Sequence, residues 1–175
     1  MPASPSETEG ANAKAMLFDI SGIDLTRTVR TRDELTRWNP HRGDMALLDG
    51  IVWESPDHTR CIAVKRVRHD EFWVPGHFPS KPIMPGVLMV EAGAQLACYS
   101  WQVRQPTPQL VAFLRIEQAL FRNMVEPGDT LYILSQEVTN GRRQFVSDIM
   151  GVRGDMSICF ETRVKGMAIG PRPEP

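Results

Sequence analysis

The sequence predicts an α+β domain in which one long apolar helix precedes a run of antiparallel strands. Two observations carry this. The first is a run that is apolar on nearly every face, Val87-Leu88-Met89-Val90 through Ala97-Cys98-Tyr99, entered through Pro85, a residue suited to the first turn of a helix. The second is a series of four strand-like stretches after it. The last of these alternates Met156, Ile158, Phe160, Thr162 and Val164 on one face with Ser157, Cys159, Glu161, Arg163 and Lys165 on the other. One helix followed by such a series argues for α+β.

Taken in order, Thr31-Arg32-Asp33-Glu34 reads as a capping box that opens a short helix ending before Asn39-Pro40. Segments 47–55 and 59–67 carry the Val and Ile that strands favour and are joined through Pro56-Asp57-His58. The central helix is expected from 85 to 103, ahead of Pro106 and Pro108. Strands are then expected over 111–124, 129–139, 143–153 and 155–166, with Asn140-Gly141 as a hairpin signal between the second and third.

A chain of 175 residues that is 42% hydrophobic can bury a core without staples, so one domain is expected over 16–168. Residues 1–15 are rich in Ser, Glu, Ala and Gly, and 169–175 form a proline-rich tail; both are expected to be disordered. The N-terminus lacks the basic-then-apolar order of a secretory signal. Glu91 and Gln95 interrupt the best membrane-span candidate, so no membrane association is expected. Cys61, Cys98 and Cys159 have neither metal nor redox spacing, which points to a reducing cytoplasm.

A net charge of −1 gives no general reason to expect nucleic acid. Arg115, Arg122, Arg142 and Arg143 are candidates for a basic surface toward an acidic partner, although each alone reads equally well as a solvated strand-edge arginine. Gly151-Val152-Arg153-Gly154 precedes no helix and makes no phosphate loop. His41, His58 and His69 lack metal-ligand spacing, and His41 is read as packing or capping. No metal or organic cofactor is implied.

The chemistry concentrates between Gly76 and Gln95. Pro79, Pro82 and Pro85 restrict the loop after His77, so its imidazole is pre-positioned. Glu91 stands out in an apolar helix, where a carboxylate needs a partner or a task. Burial is expected to raise its pKa and suit it to proton donation, with Gln95 one turn later on the same face to orient it. Gly86, just inside the helix, lets a ligand reach a backbone N–H at the positive end of the helix dipole. Taken alone, a Gly-His-Phe-Pro turn is ordinary loop; the layout of base, acid and oxyanion donor together is what suggests catalysis.

From His77-Phe78-Pro79 through Pro82, Pro85-Gly86-Val87-Leu88, Glu91-Ala92 and Ala94-Gln95, the chain resembles the signature of the (3R)-hydroxyacyl-acyl-carrier-protein dehydratases of the FabZ type. Pro40-His41-Arg42 with Leu47-Leu48-Asp49, and Phe121-Arg122 with Pro127-Gly128-Asp129, resemble two further segments of that family in the right order. Ser80 stands where the family has glycine. The likeness spans about 37–166.

The resemblance implies the hot-dog fold, a long central helix wrapped by a curved antiparallel sheet. It also implies a homodimer, or a trimer of such dimers, with shared active sites: His77 from one protomer and Glu91 from the other. The implied reaction is dehydration of a (3R)-3-hydroxyacyl thioester on acyl carrier protein to the trans-2-enoyl thioester. His77 and Glu91 are then the catalytic pair, and Phe78, Pro85, Gly86, Val87 and Gln95 the substrate-contacting set. A hot-dog acyl-thioesterase using Glu91, and a non-catalytic acyl-binding protein, remain the alternatives.

Overall fold

A computed structural model describes residues 15–172. The stretches 1–14 and 173–175, where most of the expected disorder falls, lie outside the described residues. The chain runs β1 (Arg30–Thr31), α1 (Arg32–Leu35), a 3-10 turn (Gly43–Met45), β2 (Gly50–Glu54), β3 (Arg60–Arg66), α2 (Gly86–Gln102), β4 (Gln109–Phe121), β5 (Thr130–Asn140), β6 (Gln144–Arg153) and β7 (Ile158–Pro171). The strands form one antiparallel sheet in the order β1-β2-β3-β5-β6-β7-β4. This is the hot-dog arrangement.

The Thr31 capping box forms as its residues suggest. The Thr31 side chain takes the Glu34 N–H, and the Glu34 carboxylate takes the Thr31 N–H. Helix α2 packs against β3 through β7. From Met89 to Gln102 every residue is buried except Glu91. A fully buried side chain the size of Leu96 contributes about 1.5–3 kcal/mol. The helix approaches β6 so closely that a Cβ on Gly93 would come within 2.6 Å of Ile149 Cγ2. No helix among the described residues is long and apolar enough to cross a membrane.

Three findings differ from the sequence reading. Strand β7 continues through Ile169, Gly170 and Pro171 because Gln109 and Leu110 pair with Pro171 and Gly170, so the start of the expected disordered tail is sheet. At the β5–β6 hairpin, Asn140 still pairs with Phe145 and Gly141 N–H donates to Gln144 O at 2.7 Å, so the chain turns at Arg142-Arg143 rather than at Asn140-Gly141. Residues before β1 are not merely a lead-in. Phe18 is buried with Val52, Ile62, Val64, Leu134, Met150 and Val152, a second apolar cluster distinct from the one under α2.

Strand β4 is an edge, and its pairing with β7 is irregular at three places. Phe113, Leu114, Ile116, Leu120 and Phe121 are exposed on it. An edge strand this long and apolar is a template for pairing unless something covers it.

Candidate active site

The loop carrying His77 is anchored from β3. Lys65 and Glu71 form a buried ion pair at 2.5 Å, which holds the segment after β3 against the sheet. Two residues on, Trp73 is buried, and its carbonyl accepts the N–H groups of Gly76 and His77. His77 O accepts the Ile83 N–H at 2.8 Å, and His77 Nδ1 lies 2.8 Å from Ile83 O. A carbonyl can only accept, so Nδ1 carries the proton and Nε2 is left as the basic nitrogen. Ser80 takes no left-handed backbone, since His58 and Met156 are the only non-glycine residues at positive φ among the described residues. The loop therefore does without glycine there.

His77 opens onto an apolar groove of about 460 Å³, lined also by Pro85, Gly86, Val87, Met89, Phe121 and Met124. Phe78 is exposed and stacks on the imidazole, ring centres 4.2 Å apart. At the start of α2 the N–H groups of Leu88 and Met89 turn back to Pro85 O, whereas those of Gly86 and Val87 meet no acceptor among the described residues. Unpaired N–H groups at the positive end of a helix suit an oxygen that gains negative charge. Gly86 is required for access: a Cβ there would sit 2.7 Å from Phe121 Cε1.

Glu91 lies one turn beyond Val87 and lines a second apolar pocket with Val87, Val90, Phe113, Ile116, Ala119 and Phe121. Within one chain it makes no contact with His77; its partners are Gln95 and His41. Gln95 Nε2 donates to Glu91 Oε1 at 2.9 Å and to Met45 O at 2.8 Å, and Gln95 Oε1 accepts the Leu47 N–H at 3.1 Å. Buried and fully engaged, Gln95 is placed to orient Glu91 rather than to touch a ligand.

His41 is the residue the sequence reading undervalued. Its Nε2 stands 3.3 Å from Glu91 Oε1. The Pro40-His41-Arg42 segment is docked for this: Arg42 collects the carbonyls of Thr36, Asn39 and His41, while Asn39 Nδ2 donates to Gln95 O. The signal was available in Arg42, a multi-donor group in a loop of unpaired carbonyls. What it held in place was not.

This corrects the expectation for Glu91. Burial does push its carboxyl up, but hydrogen bonds from His41 and Gln95, with the field of His41, more than offset that and hold it below the ordinary glutamate value. The resting carboxyl is therefore ionised near neutral pH, so Glu91 orders a polar ligand or water, or passes on a proton it first receives.

The four arginines considered for a basic surface do not form one patch within the chain. Arg122 pairs with Glu161 beside the His77 groove, and Arg115 lies 3.7 Å from Glu117. Arg142 and Arg143 sit with Gln109, at the far end of the thirteen-residue β4, where Arg143 donates to Ala168 O.

Residues 39–161 match the family described as FabA-like domain. A 3-hydroxyacyl-[acyl-carrier-protein] dehydratase FabZ of Rickettsia africae is 41% identical over 113 residues, 63% of this chain and 72% of that one. The bifunctional enzyme LpxC/FabZ of Porphyromonas gingivalis is 40% identical over 106 residues, 59% of this chain and 22% of that one. Among solved structures, the dehydratase heterocomplex ApeI:P from Xenorhabdus doucetiae superposes with a TM-score of 0.65 at 16% identity, over 77% of this chain and 90% of that one. The PaaI protein of Escherichia coli gives a TM-score of 0.53 at 18% identity, over 67% and 80%. The fold, the match over most of the chain and the moderate identity agree: this chain belongs to the FabA-like domain family.

Proposed function

We propose that the chain dehydrates (3R)-3-hydroxyacyl thioesters of acyl carrier protein to trans-2-enoyl thioesters, as the names of its relatives indicate for them. The observation that carries this is the pairing of a basic His77 Nε2 with the unpaired Gly86 N–H on one apolar groove. A base beside an oxyanion donor suits removal of a proton from the carbon next to a thioester carbonyl.

In this reading Gly86 N–H, assisted by Val87 N–H, takes the thioester oxygen and stabilises charge developing there as the C2 proton leaves. His77 Nε2 accepts that proton. The C2–H electrons become the new double bond, and the C3–O pair leaves with the hydroxyl, which takes a proton on the Glu91 side and departs as water. Phe121, Met89 and Met124 provide an apolar wall for the acyl chain, and Phe78 shields the imidazole.

A second copy of the chain completes the site. Glu91 and His77 face different pockets, and the strip between them (Val87, Phe113, Ile116, Phe121) is apolar and exposed. Pairing of two β4 edges would cover this strip and bring His77 toward Glu91 of the partner subunit. Arg122 of one protomer and Arg142 and Arg143 of the other are the candidates to steer the acidic carrier.

The test is mass spectrometry of the purified protein with 3-hydroxyacyl carrier protein of several chain lengths. Loss of one water, absent in His77→Ala, is expected. Release of free acid would replace this reading with a thioesterase, and unchanged substrate at every length would end it.

A further inference from the structure

His41 reaches Glu91 from a loop whose backbone Arg42 ties down. Its Nε2 faces Glu91, while its Nδ1 is buried with no partner among the described residues, as is Asn39 Oδ1. Both residues line one cavity of about 20 Å³, bounded also by Arg32 and Gln95. A water needs roughly 10–15 Å³ and at least two polar partners. The cavity has the room and the two orphaned atoms supply the partners.

We propose that His41 and Glu91 form a proton-sharing pair, backed by one buried water that joins His41 Nδ1 to Asn39 Oδ1. The proposal rests on the dehydratase reading and assigns the source of the proton that the departing hydroxyl requires. The water suits both states of the imidazole. With His41 neutral and its proton on Nε2, the water donates one hydrogen to Nδ1 and the other to Asn39 Oδ1. With His41 charged, or neutral after Nε2 has given up its proton, the water accepts the Nδ1–H and still donates to Asn39 Oδ1.

The transfer balances. The Nε2–H bond of the imidazolium breaks as an O–H bond forms on Glu91, which leaves His41 neutral. That O–H bond then breaks to the oxygen leaving C3, which departs as water, while His77 holds the C2 proton. Proton return from His77 to His41 through solvent resets the site. His41 touches no reacting atom and is a positioning residue.

The other groups facing the pair are few. Gln95 donates to Glu91. Cys98 also lies near Glu91, with its thiol pushed up to about 12 by burial. Arg42 is spent on loop carbonyls, and Arg32 on Ala46 O and Asp49. Arg32 and Arg42 place cations near His41, and Glu91 is the carboxylate that its imidazole meets.

The test combines carboxyl-carbon NMR titration of Glu91 in the full chain without substrate with kcat and KM for dehydration, in native protein, His41→Ala and His41→Gln. In His41→Ala the Glu91 midpoint is expected to rise, because burial remains and its largest opposing donor is gone. There kcat falls about a hundredfold, with KM little changed. In His41→Gln the amide still donates, so Glu91 titrates as in the native protein, yet kcat is as low as in His41→Ala because an amide has no proton to transfer.

Native kcat in His41→Gln would reduce His41 to a hydrogen-bond donor and overturn the proposal. An unmoved Glu91 midpoint in His41→Ala would overturn the pairing itself. A high-resolution crystal structure with no ordered water between Nδ1 and Asn39 Oδ1 would remove the water. If the native protein dehydrates nothing, the dehydratase reading fails separately, and the titration alone decides the pair.

Discussion

The Phe121 ring occupies the space that any side chain on Gly86 would need, with Cε1 2.7 Å and Cζ 2.8 Å from the position of a Cβ. The last residue of β4 thus touches the first residue of α2, and both border the groove into which His77 opens. Because Phe121 is about half exposed (52%), its ring can swing away from a new methyl at small cost to folding. It would swing into the groove. Gly86→Ala is therefore expected to keep its melting temperature within a few degrees while kcat/KM falls at least about tenfold. Gly86→Ala/Phe121→Ala should recover part of that loss, which steady-state kinetics on the single and double variants would read.

His77→Ala separates chemistry from stability. The side chain gives up one hydrogen bond, to Ile83 O, worth about 1 kcal/mol. Removing a general base costs roughly 10²–10⁴ in rate. Denaturant melts should barely change while turnover is nearly lost; retention of near-native turnover would mean that another group takes the C2 proton.

Gln95→Leu has the opposite signature. It leaves Met45 O and the Leu47 N–H without their partner on α2 and strips one donor from Glu91. Each buried group left unpaired costs about 1–3 kcal/mol. Equilibrium unfolding should show a loss of a few kcal/mol, and the Leu47 amide should exchange with solvent much faster than in the native chain. Protection of Leu47 equal to native would mean the loop is held by other contacts.

How much of this was legible in the sequence depends on how local each cause is. The capping box at Thr31, the extent of α2 and the six longer strands follow from short-range patterns, and the structure has all of them. The oddness of Glu91 was also readable, because a carboxylate in an apolar helix is visible one residue at a time. Its ionisation was not, since that depends on His41, fifty residues earlier, and on the Arg42 contacts that fold the loop back onto α2. The packing of Phe18 was hidden for the same reason: residues 16–25 show no period, and their burial comes from contact with β2, β3, β5 and β6.

The lowered pKa of Glu91 has a sign that acid unfolding can read. A carboxyl held below its unfolded value of 4.5 binds fewer protons in the folded state. Its contribution to stability is thus complete above that value and is lost as pH falls through the folded one. Native protein should lose stability more steeply than Glu91→Gln below about pH 4.5. Parallel acid limbs in the two proteins would mean that His41 and Gln95 do not favour the charged form.

A shared site has a quantitative consequence that a self-contained one lacks. If His77 of each protomer works with Glu91 of its partner, then His77→Ala and Glu91→Gln proteins are each nearly inactive, but a mixed dimer of the two has one intact site. That site takes His77 from the Glu91→Gln chain and Glu91 from the His77→Ala chain, and the second site lacks both. Random exchange of equal amounts gives half mixed dimers, so unfolding and refolding the two together should restore about one quarter of native activity. If covering the apolar β4 edge drives the pairing, Ile116→Lys should yield monomers by sedimentation and abolish the recovery. Two inactive proteins that stay inactive when refolded together, under conditions where native dimers re-form, would mean that each chain builds its site alone. The separate pockets of His77 and Glu91 would then have to close on each other within one protomer.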